Sequence, residues 1–409
     1  MFLVVLVSAL VCTGHAGELA LGGYYKNFTV GYHLPFQFSF QGTNTPQDLG
    51  AVTNRLRADV SWRASRLLHL QAAANLVLRV QDPVLFDFDP FQFRLNPQRY
   101  RVDDPEDLLY PESDEDISSV GLFQNLDRLQ ANLRLPFADL YVGRQAIAWG
   151  FARVINPTDV VAPYAYTELD TEHRIGVDAV RARIPLGMLS ELDVGWVFGS
   201  KFAFERSAGF LRGRFYVLQT DVSPIAVLFR EHLMLGLSLA RSIGGAGTWV
   251  EAAYTRLDDE ELIDDETDDY WRVTIGADYS LTSTIYGFAE YHYNQPGASN
   301  NQEYVDLPFT TAYREGSVYL LGEHYLIPGA SIQISPLVTL TAEFVANLSD
   351  PSLSLTPYLE YNIAENIYLA GGAFIGFGPG PSVDLSAAEL GSEFGSYPDY
   401  LFTSFRIYY

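Results

Sequence analysis

Between residues 142 and 187 the chain carries opposed charges at close spacing. Arg144 and Arg153 precede Glu168, Asp170 and Glu172, and Arg174, Arg181 and Arg183 follow them. Asn156 and Asp159 lie between, in the turn sequence Asn156-Pro157-Thr158-Asp159. These residue types make ion pairs and charge-assisted hydrogen bonds, and they act by position and field. Matched across a gap, they either brace a loop or set the potential that a passing ion meets. Group-transfer chemistry has little support. His15, His33, His69, His173, His232, His292 and His324 are scattered with no recurring serine or aspartate partner, so no nucleophile and base can be paired. No catalytic residue, metal ligand set or cofactor is expected. The acidic run 257–269 lacks the glycine and ligand spacing of an EF-hand.

Long alternating segments must position those charges. In 67–81, Leu68, Leu70, Ala72, Ala74, Leu76, Leu78 and Val80 share one face, with His69, Gln71, Asn75, Arg79 and Gln81 mostly on the other. Residues 55–63, 128–135 and 271–279 alternate in the same way. Period-2 patterning marks strands with one apolar and one polar face. The segments are long enough for a tilted strand to cross a bilayer. Short turns, such as 136–137, 185–188, 244–247, 281–284 and 364–366, alternate with long polar connections at 82–124, 149–176, 257–269, 294–315 and 379–397. That is the arrangement of an outer-membrane barrel. The expected fold is an all-β transmembrane antiparallel barrel of 16–18 strands. Seventeen candidates can be marked, among them 138–148, 177–185, 316–327 and 399–409. Adding residues 223–230 brings the count to eighteen, the favoured number.

If the apolar face meets lipid, the alternate residues meet water. The lumen wall would then hold Arg55, Arg57, Arg79, Arg128, Arg134, Arg212 and Arg214, together with Arg63, Arg272, Glu191, Asp193, Glu290, Glu343 and Glu360. Strand 138–148 must run outward, so 149–176 leaves from its outer end. This connection holds Trp149, Phe151, Val160, Val161, Tyr164 and Tyr166. So aromatic a segment is expected to pack into the mouth as a constriction. There Glu168, Asp170 and Glu172 would face Arg144, Arg153, Arg174, Arg181 and Arg183.

Composition narrows the partners. The 409 residues carry a net charge of −24, which repels nucleic acid. Much of the negative charge lies in the runs 103–116 and 257–269. They read as solvated loops, or as cation bridges to lipopolysaccharide. Residues 2–12 are apolar and end in Thr-Gly-His-Ala, the pattern of a signal peptide cut after Ala16. The expected division is 1–16 signal peptide and 17–409 barrel. The single cysteine, Cys12, would be lost with it, leaving no thiol for disulfide, metal or catalysis. At the other end Leu401, Thr403, Phe405, Ile407 and Tyr409 alternate and the chain stops on an aromatic. This resembles the closing-strand signal read by the barrel-assembly machinery, with Phe405, Ile407 and Tyr409 as its core.

Residues 125–135 and 139–187 also resemble a family of poorly characterised proteobacterial outer-membrane β-barrels. The shared pattern is a Gly143-Arg144-Gln145 strand, then Trp149-Gly150, then Asn156-Pro157-x-Asp159. More distantly the block is similar to alginate-export-like porins. The resemblance implies a large outer-membrane barrel acting as a channel, with no role assigned to these residues. The expected function is a porin-like channel for ions or small hydrophilic solutes. The alternative is a sheath or export channel for a specific partner, such as a polysaccharide or an electron carrier. Expected partners are outer-membrane lipid, lipopolysaccharide, the assembly machinery and small solutes, with oligomeric state open.

Overall fold

The computed structural model describes residues 17–35, 39–40, 43–44, 46–87, 100–103, 107–111, 119–164, 168–257, 269–384 and 387–409. The expected signal peptide 1–16, Tyr166 and most of both acidic runs lie outside the described residues.

Eighteen antiparallel strands close into one barrel. The first nine are β1 Glu18–His33, β2 Asp48–Arg63, β3 Leu68–Gln81, β4 Val120–Arg134, β5 Asp139–Gln145, β6 Val177–Pro185, β7 Glu191–Val197, β8 Ala208–Val217 and β9 Thr220–Phe229. The rest are β10 His232–Ile243, β11 Ala246–Arg256, β12 Tyr270–Ser280, β13 Ile285–Asn294, β14 His324–Ser335, β15 Val338–Asn347, β16 Ser352–Ala364, β17 Ile367–Phe377 and β18 Asp399–Tyr408. Each strand pairs with the next, and β18 returns to β1 with Tyr408 opposite Tyr24. Tyr409 extends that seam. Its N–H donates to the Gly23 carbonyl at 3.1 Å, and its hydroxyl donates to the Arg57 carbonyl of β2 at 2.8 Å. Within β18, Phe405 and Ile407 lie opposite Leu369 and Ile367 of β17.

The two faces invert the distribution of a soluble protein. Outward-facing Leu76, Leu129, Leu211, Ile275 and Leu359 are between 40% and 50% exposed. Inward-facing Arg57, Asp193, Glu251 and Arg272 are at most 3% exposed. An apolar belt around a polar interior is what lipid contact selects.

Three sequence expectations need correction. The alternation over 316–327 suggests a strand there, but the ladder runs from His324 to Ser335. Val318, Tyr319, Leu320 and Leu321 are apolar in succession because all four are buried inside the mouth of the barrel. Strand 138–148 is shorter than expected and ends at Gln145. The 223–230 segment does supply a strand, β9, but it begins earlier, at Thr220. Its signal is weak because both faces are apolar at its outer end. Ile225, Val227 and Phe229 enter a core cluster, while Leu228 points outward. Its turns are also unmarked. Leu218-Gln219 and Arg230-Glu231 all take positive φ, positions that usually hold glycine or asparagine.

Two apolar clusters fill much of the outer lumen. In one, Ile147, Trp149, Val160 and Val161 pack on the inner faces of β6–β11. In the other, Ile155 meets Tyr319 and Leu320 from the 295–323 connection and Phe394 and Tyr397 from the 378–398 connection, against β14, β15, β17 and β18. In β4 a bulge breaks the register against Ala73 and Ala74. The extra residue lets the neighbours Asp127 and Arg128 both turn inward, where they pair at 2.9 Å.

Candidate functional site

The 146–176 connection leaves β5 and reaches the inner faces of β11, β12 and β13. Glu251 on β11 accepts from Phe151 N–H at 2.7 Å, Thr158 N–H at 2.9 Å and the Thr158 hydroxyl at 2.8 Å. Glu290 on β13 accepts from Val154 N–H at 3.0 Å, Arg153 N–H at 2.5 Å and Trp249 Nε1 at 2.9 Å. From β12, Arg272 donates to the Pro157 carbonyl at 2.8 Å and the Thr274 hydroxyl donates to the Ile155 carbonyl at 3.0 Å. A segment without a ladder needs partners for its backbone groups, and here inward side chains supply them.

The chain then crosses back. Asp170 accepts from Lys26 on β1 at 2.8 Å and from Arg55 on β2 at 2.9 Å. Glu172 accepts from Lys26 at 2.5 Å and from the Tyr408 hydroxyl of β18 at 2.7 Å. His173 stacks on Tyr24, centroids 5.7 Å apart. Gly176 N–H donates to Asp127 at 3.1 Å before β6 begins. Burial by itself would raise the Asp170 carboxyl, but Lys26 and Arg55 hold it below the usual range. Asp159 moves the other way. Burial pushes it up to about 6, against the pull of Arg174 at 3.2 Å.

The motif residues at 143–159 build this crossing. Gly143 and Gly150 both take positive φ, and a Cβ on Gly150 would stand 2.0 Å from Asn156 Oδ1. Arg144 makes a two-pronged bond to Asp178, at 2.8 and 2.9 Å, and donates to the Leu126 and Asp103 carbonyls. Gln145 donates to the Ala179 carbonyl at 3.2 Å. Trp149 packs edge-on against Phe210.

The charges are distributed differently from the expected pairing. Arg144 meets Asp178, Arg153 meets Asp278, Arg174 meets Asp159, Arg181 meets Asp193, and Arg183 stands 4.0 Å from Glu191. None of these described ion pairs joins an arginine of that group to Glu168, Asp170 or Glu172. The reason is the reach of the strands, since Asp178 and Asp193 sit beside their arginines on adjacent ladders. Glu168 is exposed. Of the expected wall residues, Arg57 pairs with Asp127 at 2.7 Å, Arg55 with Asp170, and Arg212 donates to Ser223 at 2.8 Å. Arg128 donates to the Arg174 carbonyl, and Arg79 lies over the Phe123 ring. Arg134 and Arg214 are exposed.

Sequence reasoning missed Lys26, Glu251 and Asp178. Lys26 sits between inward Tyr24, Phe28 and Val30, while outward Thr29 is exposed, so the polarity of β1 runs opposite to the rule used elsewhere. Alternation could not have revealed it.

Two cavities lie beside the crossing. One of about 400 Å³ is lined by Asn156, Arg174, Arg272, Tyr319, Thr171 and Glu343 among others. The other, about 700 Å³, lies between residues 168–172 and the inner faces of β15–β18. Thr171 and Glu343 line both.

No protein-family model matches the chain, and no curated protein matches its sequence. Solved structures do match in fold. OccK9 (OpdG) of Pseudomonas aeruginosa superposes with a TM-score of 0.57 at 11% identity, covering 96% of this chain and 98% of that one. OccD3 (OpdP) of the same organism gives 0.55 at 10% identity, over 96% and 91%. OccK2 (OpdF), solved in complex with glucuronate, gives 0.54 at 9% identity, over 96% and 98%. The outer membrane protein OprD gives 0.53 at 8% identity, over 96% and 93%. The eighteen-stranded barrel of this chain is therefore the porin fold of those proteins. The likeness to alginate-export-like porins is not among these findings.

Proposed function

We propose that this chain is a porin-like channel of the outer membrane that passes small hydrophilic solutes. The 146–176 segment would be its constriction, with Glu168, Asp170 and Glu172 on the open side. One observation carries the reading: an apolar outer belt encloses a lumen with inward charged side chains and two cavities that share Thr171 and Glu343 in their walls. Volumes of about 400 and 700 Å³ suit small molecules rather than a polymer or a folded carrier. The fold likeness to OprD, described as an outer membrane protein, and to OccK2 bound to glucuronate supports the same class. The aromatic end at Phe405, Ile407 and Tyr409 would serve assembly in that membrane.

Single-channel recording of the refolded protein in planar bilayers tests this. Discrete conductance steps are expected, and removal of residues 155–170 should enlarge them. Protein that inserts with heat-modifiable mobility yet shows no steps would refute the channel.

A further inference from the structure

Glu343 sits on β15, opposite Gly329 of β14 and Thr356 of β16, so its ladder neighbours bring no charge. It is partly exposed and lines both cavities. Most other charges along the passage are answered. Arg153 has Asp278 at 2.6 Å and Arg174 has Asp159 at 3.2 Å. Asp170 and Glu172 share Lys26, and Glu360 has Arg406. Arg272 is buried and keeps its positive charge, held in place by the Pro157 and Ser317 carbonyls. Among the described residues no ion pair joins a cation to Glu343, although Arg153, Arg174 and Arg272 line the smaller cavity with it. Glu290 is saturated by the N–H groups of Arg153, Val154 and Trp249.

A carboxylate without a paired cation in the walls of two chambers attracts cations and repels anions. Tyr358, Tyr368 and Tyr408 line the larger chamber, and aromatic faces attract cations too. Resting on the channel reading above, we infer that Glu343 is a selectivity-determining residue that biases the passage toward small cations, such as ammonium- or guanidinium-bearing solutes. Arg57, Arg144 and Arg181 do not set the sign, because their charge is taken up by Asp127, Asp178 and Asp193.

Reversal potentials in a potassium chloride gradient test the inference on the wild type, Glu343→Gln, Glu343→Asp and Glu343→Lys. The wild type should favour potassium. Glu343→Gln should lower the potassium-to-chloride permeability ratio about fivefold, the factor equivalent to one charge acting at ~4 Å through water, ~1 kcal/mol. Glu343→Asp should keep the sign and Glu343→Lys should reverse it. A conducting wild type that favours chloride overturns the inference even if every variant misfolds. So does an unchanged ratio in a folded Glu343→Gln. A wild type with no conductance instead defeats the channel reading, and the inference with it.

Discussion

The two spans of the 146–176 connection solve different problems. The span 147–163 is sealed. Its side chains enter an apolar cluster, and Glu251 and Glu290 take up its N–H groups. The span 168–176 faces open space on one side and is tied on the other by ion pairs through Lys26 and Arg55. One span resembles a core, held by burial and saturated hydrogen bonds. The other resembles a tethered surface, held by charge. A segment that crosses a lumen needs the first to fix its path and can use the second to shape what passes.

The largest effect should come from breaking the sealed span. Glu251→Ala removes a fully buried carboxylate and leaves the N–H groups of Phe151 and Thr158 without an acceptor. Each stranded buried donor costs about 1–3 kcal/mol. We expect the midpoint of urea unfolding in detergent to fall sharply and conductance to become noisy. A variant with wild-type midpoint would place the anchor elsewhere.

A smaller effect should follow from cutting the tether. Lys26→Met removes the cation shared by Asp170 and Glu172, while Arg55 still holds Asp170. A loss of about 1–3 kcal/mol is expected from the hydrogen bonds to charged groups. Conductance should rise while the unfolding midpoint moves less than in Glu251→Ala. The reverse order of midpoints would abolish the distinction between the spans.

The gentlest probe is pH, and the two spans should respond with opposite sign. Asp159 in the sealed span is raised from 3.8 to about 6 by burial. Its contribution is therefore complete below the unfolded value and is lost as pH rises through about 6. Asp170 is lowered from 3.8, so its contribution is present above that value and is lost as pH falls. Hydrogen exchange, corrected for intrinsic rates, should show 147–163 loosening between about pH 4 and 7 while 168–176 holds. Asp159→Asn should remove that trend. Loosening of both spans in the same direction would show that one equilibrium governs them.

Much of the architecture was legible in the residues. Alternation in 67–81 and 271–279 and short turns against long connections together specify a barrel whose leucines face outward. The aromatic content of 149–176 pointed inward as well. Legibility ended where a strand lost its two-faced pattern. β9 is apolar on both sides and turns without glycine, and 318–321 imitates a strand because it is buried on every side.

The sequence by itself determined the fold class, because period-2 burial is a local property that each strand writes into its own residues. It also pointed to part of the inward charge, such as Arg57, Asp193 and Arg272, but not to Lys26 or Glu251. Partnership was decided by tertiary structure alone. Arg144 and Arg181 look from the sequence like a wall beside Glu168, Asp170 and Glu172, but they meet Asp178 and Asp193. Lys26, about 145 residues away along the chain, takes Asp170 and Glu172. Ion pairing depends on which strands the closed ring brings side by side and on where a bulge such as that at Asp127 turns a side chain. That ring forms only when β18 meets β1, so no local pattern could have placed Lys26 against Asp170, or left Glu343 without a paired cation.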